Sequence, residues 1–125
     1  MPITLPDINV AIRRAWKESS VELHKMAAIC FLRNGKVLGV SANRRGNGYV
    51  SEYSYHCEES VLSKTEYARR KARKENAKVY LLVVRINRRG ELRMAEPCYG
   101  CFQLCKEAGI SEIFYTTRIG GIGRK

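Results

Sequence analysis

Long apolar runs are missing from this chain. Nothing in its 125 residues approaches the roughly 18 consecutive apolar residues of a membrane-spanning helix. The stretch Met1-Pro2-Ile3-Thr4-Leu5-Pro6-Asp7 has neither the basic segment nor the apolar segment of a secretory signal, so the expectation is no membrane and a cytoplasmic location. Acidic residues are scarce: 12 Asp and Glu face 23 Lys and Arg, a net charge of +11. That balance favours an anionic partner such as nucleic acid, nucleotide or an acidic surface. The plainer alternative is a basic protein with no polymer partner. An even cysteine framework is lacking as well. The five cysteines are odd in number, two of them form a C-x-x-C, and Cys30 lies in an apolar run. This suits a reducing compartment and a metal site better than a set of disulfides. The length and the 45% apolar content fit one domain, residues 1–125, around a single core.

What is present reads as alternating helices and strands. Asp7 to Lys25 is an amphipathic helix, with Ile8, Ala11, Ile12, Ala15, Trp16 and Leu23 at steps of three and four. Asp7 can cap it, and Trp16 reads as a core anchor, with base stacking as the alternative. Met26–Arg33 and Lys36–Ala42 are strands joined by Asn34-Gly35, the pair favoured where both central turn residues have positive φ. Asn43–Tyr55 is a loop that interleaves Arg44, Arg45 and three tyrosines with glycine. His56 to Asn76 is a second helix with Val61, Leu62, Thr65, Ala68 and Ala72 facing inward. Val79–Ile86 is a buried strand, Asn87–Gly90 a turn, and Glu91–Ala95 a short extended piece. Cys98–Ala108 is a third helix with Gly109 as its C-terminal cap. Glu112–Thr117 is the last strand, and 118–125 is a basic, glycine-rich tail expected either to be mobile or to order on substrate. Helices alternating with strands after a hairpin imply an α/β fold, a mixed β-sheet sandwiched by helices in the order α-β-β-α-β-α-β.

Two short stretches stand out. His56-Cys57-Glu58 reads H-x-E and begins a helix; Pro97-Cys98-Tyr99-Gly100-Cys101 reads P-C-x-x-C and begins another. Cys98 and Cys101, three apart on a first helical turn, can turn both sulfurs to one point. The helix N-terminus favours their thiolate forms. His56, at the start of the neighbouring helix, can add a ring nitrogen, a donor set that suits zinc with one position left for water.

In this order and spacing the two stretches resemble the cytidine deaminase superfamily. The likeness covers nearly the whole chain and implies that fold. It implies Zn2+ held by His56, Cys98 and Cys101, with Glu58 as the catalytic proton carrier. The implied reaction is hydrolytic deamination of cytosine to uracil; adenine to hypoxanthine is the sister reaction. It also implies that Asn43 meets the sugar of the target nucleotide. The family usually has a small apolar residue where Cys57 stands, and many members continue past the last strand.

Other readings stay open. Cys105 lies four residues after Cys101 and could close the zinc into a structural site; it reads more simply as a buried small hydrophobe. A C-x-x-C after a strand also permits thiol redox chemistry. Glu59 next to Glu58 leaves the choice of carboxylate to the family pattern. The expected substrate is cytosine in single-stranded nucleic acid, because a target base must be unstacked to reach such a pocket; free cytidine or cytidylate is the alternative. Substrate contacts would come from Asn43, Tyr55, Arg44 and Arg45. Candidate nucleic-acid contacts are Arg69, Arg70, Lys71, Arg73 and Lys74 at the helix end, and Arg124 and Lys125 in the tail. Cations at a helix C-terminus also answer its dipole, which alone explains some of them. Oligomeric state is not decided by any feature of the chain.

Overall fold

A computed structural model describes residues 2–18, 25–45 and 54–125. Helix α1 (Ile8–Glu18) is followed by the strands β1 (Lys25–Leu32) and β2 (Val37–Ala42) and the short pair β3 (Arg44–Arg45) and β4 (Ser54–Tyr55). Helices α2 (Cys57–Lys64) and α3 (Glu66–Lys74) precede β5 (Val79–Ile86) and β6 (Leu92–Arg93). Helix α4 (Tyr99–Glu107), β7 (Ile110–Thr116) and β8 (Ile122–Arg124) complete the order. The main sheet runs β2-β1-β5-β7-β8, with β6 paired to the end of β5. Among the described strands β5 and β7 run parallel and the other pairs are antiparallel. This is the mixed, helix-covered sheet expected from the sequence. None of the described helices is long and apolar enough to cross a membrane.

Strand β5 sits centrally and explains its own composition. Val79, Leu81 and Val83 point into a cluster with Ala28, Cys30, Cys57, Val61, Cys105 and Ile113. Tyr80, Leu82, Val84 and Ile86 point the other way, into a cluster with Ala11, Ala15, Ile29, Phe31 and Phe114. A strand covered on both faces needs a continuous apolar run rather than an alternating one. So α2 and α4 cover one face and α1 the other.

Several local expectations are corrected. The Asn34-Gly35 turn is not one with two positive-φ residues. Gly35 has φ 89°, while Asn34 is absent from the described positive-φ residues. Gly35 N–H donates to Leu32 O and Leu32 N–H to Lys36 O. This is a three-residue loop with a glycine bulge, and Asn34 Oδ1 accepts from Lys36 N–H to hold it. The long second helix is broken at Thr65, whose φ/ψ of −104°/10° ends α2 while its hydroxyl donates back to Val61 O at 2.7 Å. Helix α1 is described to Glu18, and the remainder of its expected span, through 24, lies outside the described residues. Trp16 is not buried: it is 45% exposed, with Lys25 Nζ 5.7 Å above its ring. The last eight residues are not a loose tail. They fold back as β8, pairing Phe114 with Arg124 and Tyr115 with Gly123. Gly123 lets the Tyr115 ring lie across it, and a Cβ there would force that ring to move. Gly109 caps α4 as expected, with φ 85°.

Candidate metal centre and active site

The two motif stretches meet through the first turns of α2 and α4. His56 is the N-cap of α2 (φ/ψ −68°/143°) and Cys98 the N-cap of α4 (−64°/165°). Each is extended, so its side chain stands clear of the helix and beside the unpaired N–H groups of the first turn. Cys98 Sγ accepts from Cys101 N–H at 3.5 Å, and His56 Nδ1 lies 3.1 Å from Cys101 Sγ. One donor atom each from His56, Cys98 and Cys101 lies within 4.8 Å of the other two. Donors set tetrahedrally around zinc at usual bond lengths stand about 3.5–3.8 Å apart, so the group fits that ion. One nitrogen and two sulfurs also match its softness, and three protein donors leave a fourth position open. Burial first, and then the charge of Glu58, push the Cys101 thiol well above its ordinary value. A bound cation reverses that direction, since metal coordination deprotonates the thiol.

Helix α2 separates the two carboxylates that the sequence leaves side by side. Glu58 is 2% exposed, whereas Glu59 faces solvent. Cys57, fully buried, donates its thiol proton to Glu58 Oε1 at 2.9 Å. Burial and the neighbouring Glu58 charge raise the Cys57 thiol, which keeps it a neutral donor. Glu58 lies outside the donor group. Cys105 lies outside it as well, packed in the core with Cys30 and Cys57. Its burial pushes the thiol up to about 12. Among the described residues the group therefore has three members, which removes support for a closed four-ligand structural site.

Residues 8–117 match the family model described as the cytidine and deoxycytidylate deaminase zinc-binding region. The chain belongs to this family. Its enzymes are zinc-dependent hydrolytic deaminases. No curated protein matches the sequence closely. Solved structures share the fold. A dCMP deaminase from the cyanophage S-TIM5, in complex with dCMP and dUMP, has a TM-score of 0.58 and 17% identity, covering 89% of this chain and 78% of that one. The same enzyme in apo form has a TM-score of 0.56 with 17% identity, over 89% of this chain and 79% of that one. Cytidine deaminase from Mycobacterium tuberculosis gives 0.55 and 16%, with 90% and 86% covered.

Set in the deaminase fold, the expected substrate residues divide. Asn43 is buried, and both its backbone N–H and its Oδ1 bond to the main chain of Met26, at 3.0 and 2.9 Å. This holds the end of β2 against β1. Arg44 and Tyr55 are partners in the β3–β4 ladder, and Arg45 pairs with Ser54. That ladder closes the base of the loop directly before His56. Residues 46–53 of the expected lip lie outside the described residues.

One member of the expected phosphate-contact cluster, Arg69, is spent on structure, which is a correction. Arg69 is 8% exposed. It donates to Thr65 Oγ1 at 3.2 Å, Leu62 O at 2.7 Å and Ala108 O at 3.0 Å. It is the clip between α2, α3 and the end of α4, and cannot reach a ligand. Arg73 donates to the same Ala108 carbonyl at 3.1 Å, and Arg70 pairs with Glu66. Lys71 and Lys74 are exposed. In the former tail, Arg124 pairs with Glu112 and Lys125 with Glu96. The sequence reading missed a different set of cations: Arg85, Arg93 and Arg118 border one recess. The signal available was a single arginine inside the apolar run of β5.

Proposed function

We propose that this protein hydrolyses the amino group of cytosine, giving uracil and ammonia, with His56, Cys98 and Cys101 holding zinc and Glu58 carrying the protons. The observation behind this is three nitrogen and sulfur donors within 4.8 Å of one another, beside a carboxylate that is 2% exposed. When bound, zinc supplies a Lewis acid that brings the pKa of water to about 7. Glu58 takes a proton from the attacking water and gives it to the ring nitrogen beside the amine. It then delivers the second proton to the departing amino group, so ammonia leaves and the ring keeps the oxygen. The thiol of Cys57 fixes the carboxylate from behind. The buried setting excludes bulk water from the proton path.

Single-stranded nucleic acid is the first substrate of this reading, on the +11 charge and the exposed Lys71 and Lys74. Free cytidylate is the second reading. The ion pairs of Arg124 and Lys125 favour it, as does a fold shared with a dCMP deaminase solved with dCMP and dUMP. The deciding experiment incubates zinc-loaded protein with a cytosine oligonucleotide in one arm and with cytidine, deoxycytidine and their monophosphates in the other. Uracil in the oligonucleotide alone supports the first reading, and turnover of free substrates alone the second. The Glu58→Gln variant should lose about 10²–10⁴-fold in rate in either arm while keeping its zinc. No turnover by the parent protein in either arm defeats the cytosine assignment.

A further inference from the structure

Arg85, Arg93 and Arg118, with Met94, border an open recess of about 840 Å³, and no acidic residue is among its described lining. Arg85 and Arg93 are directly opposed in the β5–β6 ladder. Like charges set opposite each other on a sheet destabilise it; here Glu91 lies 3.8 Å from the Arg93 guanidinium, and Arg85 Nη1 donates to Met94 O at 3.5 Å. The backbone beneath is firmly tied. Thr116 Oγ1 donates to Arg93 O at 2.7 Å and accepts from Arg85 N–H at 3.2 Å, while Ala95 N–H donates to Thr116 O at 2.8 Å. Arg118 enters from the turn after β7, closed by Thr117 N–H to Gly121 O.

The recess and the metal centre share one side of the sheet. Arg85 continues the alternation of Leu81 and Val83, which face the α2 and α4 side. Met94 is four residues before Cys98, an extended reach of at most about 14 Å. Both features lie at the carboxyl end of the parallel pair β5 and β7, where open α/β sheets bind ligands. Guanidinium groups are suited to phosphate oxygens, which they bind through two parallel N–H donors.

We propose that Arg85, Arg93 and Arg118 form a phosphate subsite for the nucleotide whose base enters the metal centre. The phosphate is either the 5′-phosphate of a free nucleotide or a flanking phosphodiester of a single strand. The assignment rests on the deaminase reading for its base, but not for its anion.

The test is calorimetric binding to zinc-loaded protein of dUMP, deoxyuridine and a short single-stranded oligonucleotide containing one deoxyuridine. Arg93→Gln and Arg118→Gln are compared with Arg13→Gln, which removes the same charge from an exposed position on α1, across the sheet. A subsite filled by a free nucleotide makes dUMP bind at least about tenfold tighter than deoxyuridine, an advantage lost in the two recess variants and kept in Arg13→Gln. A subsite filled by a phosphodiester shows instead in the oligonucleotide arm, where each recess variant lowers the salt slope by about one. Recess variants that match Arg13→Gln in both arms overturn the proposal, and so does a protein that binds none of the three ligands. If deoxyuridine fails to bind while the phosphate advantage persists, the base pocket is wrong and the anion site stands.

Discussion

The two faces of β5 are built from one strand and do opposite things. Toward α1 lie Tyr80, Leu82, Val84 and Ile86, with Phe31, Tyr80 and Phe114 grouped at ring-centre distances of 5.7 to 6.4 Å. Among the described residues that cluster holds no thiol, and the one buried acid, Glu58, is not part of it. Toward α2 and α4 lie smaller side chains and the thiols of Cys30, Cys57 and Cys105, next to the buried Glu58. Burying a carboxylate and several polarisable groups on one side costs stability. The aromatic side offsets this with large apolar area and tight packing. Stability and chemistry are thus separated by the thickness of one sheet, and each can be attacked without the other.

The sharpest break is on the chemical side. Cys98→Ala should abolish stoichiometric zinc and all deamination, read by metal analysis and product assay, because two donors do not complete the site. Cys105→Ala, one helical turn beyond Cys101 along α4, should retain both. Loss of zinc from the Cys105 variant would return the four-ligand structural reading. The aromatic side should answer differently. Phe31→Ala, at a fully buried position, should cost about 3–5 kcal/mol in denaturant unfolding. Zinc content and rate per folded molecule should be unchanged, and a matching fall in rate would mean that the faces are coupled.

The smallest effect belongs to the sheet edge that both faces share. The Arg124 hydrogen bond holds the Glu112 carboxyl below its ordinary value of 4.5. The folded form therefore binds fewer protons there than the unfolded form. Its contribution is present above the unfolded pKa and is lost as pH falls through the folded one. Arg124→Gln should lower Tm slightly at about pH 6, and the difference from the parent should be smaller at about pH 3. An equal loss at both values would assign the residue to packing over Phe114 instead.

Most of the element order was legible because periodicity and turn chemistry are local. His56, Cys98 and Cys101 were legible because their spacing is tied to helix starts. What escaped depends on distant partners. Five cations in six residues look like a solvated face, and nothing local says that Arg69 turns inward to Leu62 and Ala108. Thr65 reads as one more inward residue until its hydroxyl takes Val61 O and breaks the helix. The glycines of the tail suggested freedom, whereas Gly123 lies under Tyr115. The arginine recess is assembled from β5, β6 and the turn after β7, so no window of sequence contains it.

The Arg69 clip has a mechanical meaning. Helices α2 and α4 present His56, Cys98 and Cys101 at their leading tips, while Arg69 fastens Leu62 of one to Ala108 of the other at their trailing ends. The pair works like tongs riveted at the handle, with the opening at the jaws set by the rivet. A metal entering such jaws has little chain left to arrest, and a metal withdrawn leaves them still aligned for the next.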